Sequence, residues 1–391
     1  MIRFTFSRAL CNVAVAVAIA SPAAAQLLGL PARLPLPAMP GGIAPVTGEV
    51  AATQARLDAV TGLLRANPRE LTRGPAGEAV VRDEILAVAP SSDSLAAALS
   101  AGFAIAADNI DPALGVRLVT LRPPPGRTLR AALKQLRALD PAGAYDLDAI
   151  FTPAASLGPT TILPPATGDA PGARIGMIDT GIALTHADFA TAQITPRGFA
   201  GPVIAAAHGT AIASLLIGHA GAARGAQLFA ADVYGGAPTG GSARAIVAAF
   251  GWLAAAGVGV VNVSLVGPAN RALETVIAAM QRRGTIVVAA VGNDGPVAPP
   301  LYPASYPGVV AVTGLDARGR PLPEAGRATH VDFAAAGVGQ AADPAGGFIA
   351  VRGTSFAAPL VTGRIATLHP IAGPDTDAVA KLRDENTTTH R

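Results

Sequence analysis

The stretch 173-ARIGMIDTG-181 is an apolar run that ends in an aspartate followed by threonine and glycine. Four further apolar runs of similar length follow it: AQLFAADVY (226–234), GVGVVNVSL (257–265), GTIVVAAVG (284–292) and GVVAVTGL (308–315). Runs that are apolar on both faces are typical of parallel strands covered by helices, and helix-like stretches separate these runs. The alternation predicts an α/β fold with a parallel sheet over residues 173–391.

A smaller unit of a different type is predicted over residues 82–152. Its segments follow the order β-α-β-β-α-β, which is a small α+β, ferredoxin-like arrangement. The segments are EILAVAP (84–90), DSLAAALSAGF (93–103), AIAAD (104–108), GVRLVTLRP (115–123), TLRAALKQLRAL (128–139) and AYDLDAIF (144–151). Residues 153–172 are rich in proline and glycine, so we predict a linker between the two units.

The N-terminal residues have the features of a secretory signal peptide. Two arginines precede a short apolar run at 9–20, and three alanines at 23–25 offer a cleavage site. The run is too short to span a bilayer, so we predict a signal peptide over 1–25, with an uncleaved membrane anchor as the alternative. The protein would then be secreted, into the periplasm or the extracellular medium. Residues 26–81 are predicted to form a linker that includes a helix over 47–66.

Composition and charge narrow the classes of function. Hydrophobic residues make up 51% and charged residues 14%, which indicates a large core and argues against disorder. The net charge of +3 comes from scattered basic residues and aromatic residues are only 4%, so we expect no nucleic-acid partner. The only cysteine, Cys11, lies in the predicted signal peptide, so the exported protein would have no disulfide and no catalytic thiol.

Three polar segments lie at the ends of predicted strands or at the starts of helices, where α/β folds carry their active sites. They are Ile178-Asp179-Thr180-Gly181, His208-Gly209-Thr210 and Gly353-Thr354-Ser355-Phe356-Ala357-Ala358-Pro359. A serine nucleophile needs an adjacent base, and a buried carboxylate fixes the tautomer of a histidine base. Asp179, His208 and Ser355 therefore form a candidate catalytic triad.

A fourth segment ends a predicted strand in an asparagine flanked by glycines, Gly292-Asn293-Asp294-Gly295. The Asn293 amide can donate a hydrogen bond to the oxyanion of a tetrahedral intermediate. The Ser355 backbone N–H, at the start of its helix, would be the second donor.

The motifs D-T-G, H-G-T, G-N and G-T-S-x-A-x-P, in this chain order, resemble those of the subtilisin-like serine peptidases over about residues 173–369. The G-T-S-F-A-A-P match is the most specific of the four. The resemblance implies a serine endopeptidase that acts on polypeptide substrates without a cofactor. In that family pattern Asp179 orients His208, His208 is the base, Ser355 attacks the peptide carbonyl, and Asn293 stabilises the oxyanion.

The resemblance also implies where substrate binds. The side chain before the cut bond (position P1) would enter a pocket, S1, whose walls are Ser264, Leu265, Val266 and Gly267 on one side and Ala290, Val291 and Gly292 on the other. Leu301 would lie near the floor of this pocket, and an apolar floor would favour an apolar P1 residue. Val266 stands where the family usually has glycine, and this bulkier residue would narrow the pocket.

The unit over 82–152 resembles the inhibitory propeptide of the same family. It would assist folding of the slowly forming parallel sheet, occlude the cleft as an intramolecular partner, and be cut somewhere within 152–172. Asp188 matches a calcium ligand of the family, but the run HGTAIASLLIGHAGAARGA (208–226) has no calcium loop. We therefore expect no metal at that place, and no membrane contact once the signal peptide is removed.

Other interpretations stay open at this point. Asp-Thr-Gly is also the signature of aspartic peptidases, which need two such aspartates, and this chain has one copy. Taken singly, Asp179 and Asn293 are ordinary turn residues and Ser355 an ordinary helix cap. The alternative function is a catalytically inactive binding protein with the same fold, because Val266 and the short stretch of 36 residues after Ser355 depart from the family pattern. A transferase, in which an amine replaces water, is a third.

Overall fold

The computed structural model describes residues 47–154, 156–157, 167–368 and 377–389. The predicted signal peptide over 1–25 lies outside these residues. Residues 46–391 cluster into one compact unit. Within the described part of the chain, no helix has both the length and the apolar character needed to cross a membrane.

An antiparallel sheet with helices forms the first part of this unit. Its elements are α1 (Thr47–Ala66), β1 (Leu71–Arg73), β2 (Ala79–Val88), α2 (Ser92–Ser100), β3 (Ala104–Asp111), β4 (Val116–Arg122), α3 (Leu129–Leu139) and β5 (Ala144–Ala149). Strand β2 pairs with β1, β4 and β5, and β4 also pairs with β3. Helix α3 begins after Thr128, whose side chain accepts a hydrogen bond from the Ala131 N–H, and buries Leu133 and Leu136.

The first sheet begins earlier than residue 82, where the sequence placed its start. Strand β1 and the first residues of β2 lie inside the segment predicted as a linker with a helix. The apolar residues 79–81 are separated from the apolar residues 85–88 by Arg82, Asp83 and Glu84, and Asp83 has a φ of 59° at an irregularity in the pairing of β2 with β5. The alternation of inward and outward side chains shifts by one residue at this irregularity. The sequence pattern therefore does not show that residues 79–81 and 85–88 belong to one strand.

Two short strands lie at the start of the segment predicted as a linker over 153–172. They are β6 (Thr152–Pro153) and β7 (Ser156–Leu157). Strand β6 pairs with β12 and strand β7 with β17, whose bounds follow below. Two residues are too few to carry a periodic pattern, so only their partners identify these strands. Residues 158–166 of the predicted linker lie outside the described residues.

A seven-stranded parallel sheet forms the second part, as the apolar runs predict. The remaining strands are β8 (Arg174–Asp179), β9 (Gln193–Gly198), β10 (Gln227–Asp232), β11 (Val260–Val263), β12 (Leu265–Val266), β13 (Ile286–Ala290), β14 (Val310–Leu315), β15 (Phe333–Ala336), β16 (Val338–Ala342) and β17 (Phe348–Arg352). The sheet order is β15-β14-β13-β11-β8-β10-β9, and every neighbouring pair is parallel. The five apolar runs form its five central strands, while the edge strands β9 and β15 are less buried.

Helices cover both faces of the parallel sheet. They are α4 (Ala207–Ile217), α5 (Ala243–Ala255), α6 (Arg271–Arg282), α7 (Thr354–Leu368) and α8 (Asp377–Thr389). Alternate residues of each strand enter two separate apolar clusters: Ile178 joins Phe250 of α5, whereas Met177 joins Ile212 of α4 and Phe356 of α7. Because β8, β11 and β13 pair in parallel, their carboxyl ends lie at one edge of the sheet, where the polar motifs begin.

Candidate active site

Asp179 and His208 are in direct contact. Asp179 ends strand β8 and is fully buried, and its Oδ1 lies 2.7 Å from His208 Nδ1. The same oxygen accepts a hydrogen bond from the Thr180 N–H at 2.7 Å. This arrangement fixes the ring of His208 with Nε2 as its free nitrogen. Among the described residues, Nε2 is buried and has no hydrogen-bond partner.

The residues around this pair lock the D-T-G and H-G-T segments together. The Thr180 hydroxyl accepts a hydrogen bond from the Gly209 N–H at 2.8 Å, and the Thr210 hydroxyl accepts one from the Ala183 N–H at 3.0 Å. A Cβ atom on Gly209 would collide with the Thr180 carbonyl oxygen, so only glycine allows this approach. The contact between the two segments therefore explains why threonine and glycine stand at these places in each motif.

Ser355 lies in the first turn of α7, next to the same cluster. It is fully buried, and its neighbour Phe356 has its ring centroid 5.6 Å from that of His208. The Ser355 hydroxyl donates to the Ser264 carbonyl oxygen at 3.2 Å, and no hydrogen bond joins it to His208 Nε2. A catalytic hydrogen bond is often absent until the reacting geometry forms. A rotation about χ1 of Ser355 would redirect the hydroxyl.

Asn293 and the start of α7 converge on one carbonyl oxygen, which belongs to Ala154. The Asn293 side-chain amide (Nδ2) donates to this oxygen at 2.5 Å, and the Ser355 backbone N–H donates to it at 3.2 Å. The Asn293 Oδ1 accepts a hydrogen bond from the Thr354 N–H at 3.0 Å, which orients the amide. The two predicted oxyanion donors thus contact a peptide carbonyl of the chain itself.

The segment that carries this carbonyl includes β6 and is an added strand that lies between strand β12 and the turn at Gly241. On one side β6 pairs antiparallel with β12, and the Ala154 N–H donates to the Ser264 carbonyl at 3.1 Å. On the other side the Phe151 N–H donates to the Gly241 carbonyl at 2.7 Å. An extended peptide held between two strand edges is a common mode of peptide recognition.

The predicted substrate-binding residues fall into two groups. Ser264, Leu265 and Val266 run alongside the added strand, and Gly267 lies against the ring of Phe151, since a Cβ there would be 2.5 Å from a ring atom. Gly292 lies across from Val266, and Leu301 fills the space between them: a Cβ on Gly292 would lie 2.8 Å from Leu301 Cδ1 and 3.4 Å from Val266 Cγ1. Ala290 and Val291 are buried at the end of β13 with no direct hydrogen bond to the added strand.

Sequence reasoning missed the second edge of this cleft and its occupant. Tyr234 and Gly241 form that edge, and the Tyr234 hydroxyl donates to the Phe151 carbonyl at 2.8 Å. Burial, together with the charges of Asp179 and Asp232, raises the pKa of Tyr234 well above its usual value, so this hydroxyl stays a donor. Neither residue belongs to a recognisable motif. The one available signal was the predicted closing strand of the first unit, which runs directly into residues 152–154.

Asp188 has protein partners for both carboxylate oxygens. The Ser214 hydroxyl donates to Oδ2 at 2.6 Å, and the His219 N–H donates to Oδ1 at 2.8 Å. Ser214 lies within α4 and His219 lies two residues after its end. These two donors occupy the carboxylate that the resemblance would assign to calcium. In the described part of the chain, no group of three or more acidic, histidine or cysteine side chains could hold a metal ion.

A second contact joins the first sheet to the helices α5 and α6. Asp148 accepts a hydrogen bond from the Arg244 N–H at 2.9 Å, and Asp146 accepts one from the Arg271 N–H at 3.1 Å. Both carboxylates belong to β5 and both sit at helix N-termini, where a negative charge interacts favourably with the helix dipole. Asp148 is fully buried, and the Arg244 Nε atom lies 3.6 Å from Asp148 Oδ2 and 3.4 Å from Glu84 Oε2.

Comparison with known proteins links this architecture to one family. A family model described as the subtilase family matches residues 170–385. Subtilisin E of Bacillus subtilis (strain 168) is 30% identical over 231 residues, which cover 56% of this chain and 60% of that protein. Subtilisin Savinase of Lederbergia lenta is 33% identical over 206 residues, which cover 50% of this chain and 75% of that protein. The chain thus spans about 60% of the length of the first of these relatives.

Solved structures share the fold. Fervidolysin from Fervidobacterium pennivorans, a keratinolytic enzyme related to subtilisin, superposes with a TM-score of 0.62 at 20% identity, covering 76% of this chain and 55% of that one. The protease domain of PatA, solved as a serine-to-alanine mutant, superposes with a TM-score of 0.50 at 22% identity, covering 56% of this chain and 98% of that domain. At these identities the likeness concerns the fold alone.

Proposed function

The chain belongs to the subtilase family, and on this premise we propose that it is a secreted serine endopeptidase made as a self-processing zymogen. Asp179, His208 and Ser355 would form its catalytic triad, and the Asn293 amide and the Ser355 N–H its oxyanion hole. The predicted signal peptide supports export, and the unit before the parallel sheet would be the propeptide.

One observation carries this proposal. The Ala154 carbonyl oxygen lies 2.5 Å from Asn293 Nδ2 and 3.2 Å from the Ser355 N atom. Two donors aimed at one carbonyl are the arrangement that stabilises the negative charge of a tetrahedral intermediate. The same carbonyl belongs to the residue that follows strand β6, and this supports the proposal that the chain's own segment is the first substrate. Within the predicted cleavage region of 152–172, we therefore propose the bond between Ala154 and Ala155.

The chemistry follows from the positions of these groups. The Ser355 Oγ would attack the Ala154 carbonyl carbon while His208 Nε2 takes the hydroxyl proton, and Asp179 would stabilise the resulting imidazolium. The carbonyl oxygen becomes an oxyanion held by Asn293 and the Ser355 N–H. The bond to Ala155 then breaks, and His208 gives its proton to the leaving amine. Water hydrolyses the acyl-enzyme by the reverse sequence of proton transfers, which restores Ser355.

After cleavage the first unit would act as an inhibitor, because residues 151–154 still fill the cleft. The residues of the first unit that pair with β12 or contact the N-termini of α5 and α6 all precede Ala155 in the chain, so cleavage after Ala154 would leave these contacts intact. We expect these contacts to hold the unit in place until it dissociates or is degraded. Other polypeptides would then occupy the same strand position as substrates.

The test is to express residues 26–391 as wild type and as Ser355→Ala and to follow intact masses with time. We expect the wild type to split after Ala154, giving a new N-terminus at Ala155, and the variant to stay whole. Ser100→Ala, at the exposed end of α2, is the matched control and should split like the wild type. A wild type that stays whole and does not react with a fluorophosphonate would contradict the proposal.

A second candidate function is a catalytically inactive protein that binds peptides in the same cleft. The observation that favours it is the Ser355 hydroxyl, which donates to Ser264 and not to His208 Nε2. The mass experiment separates the two candidates. An inactive binding protein would remain whole in both forms while still binding an extended peptide.

A further inference from the structure

Helix α1, which precedes the first unit, contacts the peptidase region next to Asn293. Arg56 Nε on this helix lies 3.2 Å from Asp294 Oδ2, and Asp294 directly follows Asn293 in the chain. Only 23% of the Arg56 side chain and 14% of the Asp294 side chain are exposed, so water and salt screen this ion pair less than a surface pair. Burial raises the pKa of the Asp294 carboxyl, and the Arg56 guanidinium counteracts that rise. The ion pair therefore holds α1 against the segment that carries Asn293.

Other residues of α1 anchor the helix on the first sheet. Three apolar side chains of the helix pack against a buried cluster there. The three are Val60, Leu63 and Leu64, and the cluster consists of Leu71, Ala79, Val81 and Ile150. The Arg73 guanidinium on β1 also donates a hydrogen bond to the Thr61 hydroxyl at 3.1 Å. The first sheet therefore sets the position of the helix, and with it the position of Arg56.

Between α1 and the peptidase region the packing is open. A cavity of about 380 Å³ lies there, and its apolar lining includes Leu57 of the helix and Pro268 and Pro300 of the peptidase region. Apolar contact across this gap is incomplete. Arg56 and Asp294 line the same cavity, so their ion pair bridges the gap and links the helix to the peptidase region.

The turn that carries Asn293 is held at both ends by the peptidase region. The Gly292 N–H donates to the Thr354 hydroxyl at 3.1 Å, and the Gly295 N–H donates to the Glu324 carbonyl at 2.9 Å. Both glycines have positive φ values, 96° and 85°, and glycine leaves the backbone freer than other residues do. An ion pair in the middle of this turn therefore also restrains the direction of the neighbouring asparagine amide.

We propose that Arg56 is a positioning residue for self-cleavage, which fixes the Asp294 carboxylate and thereby aims the Asn293 amide at the Ala154 carbonyl. This inference rests on the proposed peptidase function and adds a role for α1. The restraint exists only while the helix is docked. It acts on the chain's own cleavage and not on later substrates, which are cut after the first unit has left.

The first test compares self-cleavage of residues 26–391 in two backgrounds, followed by intact mass. In the chain with Asn293, we expect Arg56→Ala to slow self-cleavage about tenfold, because a misplacement of about 1 Å can cost about 100-fold. In a chain that carries Asn293→Ala, the same substitution should change the rate less than about twofold, since the amide to be aimed is gone. Arg65→Ala, exposed in the last turn of the same helix, is the matched control and should cleave like the wild type.

The second test asks whether Arg56 acts through its partner. Asp294→Ala removes the carboxylate, so adding Arg56→Ala to it should slow self-cleavage by less than about twofold further. Two independent residues would instead multiply their effects. Arg56→Lys keeps the positive charge at this place, so it should cleave faster than Arg56→Ala.

The outcomes separate this inference from the proposed function. If the wild type neither processes itself nor reacts with a fluorophosphonate, the peptidase proposal fails. If the wild type processes itself and Arg56→Ala cleaves as fast, or if Arg56→Ala slows both backgrounds equally, the peptidase proposal stands and the positioning role is wrong. If Arg56→Ala fails to fold by thermal melting, Arg56→Gln replaces it with the same expected direction.

Discussion

The first unit meets the peptidase region at two places that differ in chemistry. In the cleft, residues 151–154 are held by main-chain hydrogen bonds and by two buried apolar side chains. At the N-termini of α5 and α6, Asp146 and Asp148 supply carboxylates. The difference suggests a division of roles. Under the proposed function, the cleft contact would select the bond to be cut, and the charged contact would determine how firmly the unit stays bound afterwards.

The largest effect should come from the cleft contact. Asn293→Ala removes the donor to the Ala154 carbonyl oxygen and the acceptor for the Thr354 N–H. We expect self-cleavage to slow about 100- to 1000-fold, a range taken from the measured loss of an oxyanion donor in a subtilisin. Time courses of intact mass give the rate. Asn109→Ala, on the exposed edge of β3, should cleave normally. Equal rates for the two variants would remove Asn293 from the mechanism.

The next effect should come from the helix-end contact and should leave cutting largely unaffected. Asp148→Ala removes the acceptor for the Arg244 N–H in the first turn of α5, while the N-cap Ser242 stays in place, and it leaves the Arg244 side chain with Glu84 alone. Leaving a buried N–H without an acceptor costs about 1 to 3 kcal/mol, so the cleaved unit should bind about 5- to 150-fold more weakly.

Dilution of the self-cleaved chain, followed by size-exclusion chromatography, measures this affinity without requiring turnover. Asp93→Ala, exposed in the first turn of α2, is the control. If Asp148→Ala slowed cleavage as strongly as Asn293→Ala did, the division of roles between the two contacts would be wrong.

The smallest effect is a pH dependence confined to the charged contact. Burial raises the pKa of Asp148 to about 7, with Arg244 acting in the opposite direction and the Glu84 carboxyl adding to the rise. In the separated unit we expect a pKa near the ordinary value of 3.8. Docking therefore takes up a proton, and the gain in affinity is complete below pH of about 4 and is lost as the pH rises to about 7.

The affinity of the cleaved unit, followed by co-elution of the self-cleaved wild type, should fall over this interval by up to about tenfold per pH unit for the proton on Asp148. Burial also raises the pKa of Asp146, whose proton would add to this fall. Asp148→Asn keeps an acceptor for the Arg244 N–H but cannot titrate, so its affinity should vary less. Glu84 on β2 and Asp146 on β5 remain as the other carboxyl groups facing the helices. A wild-type affinity that is constant between pH 4 and 7 would count against this source of pH dependence.

Much of the peptidase region was predictable from sequence because its chemistry admits few substitutes. The apolar runs predict the five central strands, because a strand that is covered by helices on both faces needs apolar side chains along its whole length. The contact between Asp179 and His208 joins two motifs that are 29 residues apart. Gly209 shows why the motif can be recognised in the sequence: a Cβ there would collide with Thr180, so only glycine fits this position. The catalytic roles of Asp179, His208, Ser355 and Asn293 stay predictions.

Other features could not be predicted because they depend on partners that are remote in sequence. Strand β6 has two residues and is a strand only because β12 lies beside it. Tyr234 and Gly241 belong to no motif, yet they form one edge of the cleft. Asp148 resembles any exposed carboxylate of an alternating strand until Arg244 covers it.

The sequence by itself determined the parallel sheet and the chemical groups available at its edge, because apolar periodicity and nucleophile, base and acid residue types are local properties. Only the tertiary structure decided which carbonyl meets Asn293 and Ser355 and how much room lies behind Ala154. Those quantities depend on distances between segments more than 100 residues apart, such as Asn293 and Ala154. Packing sets such distances, and no local pattern encodes them.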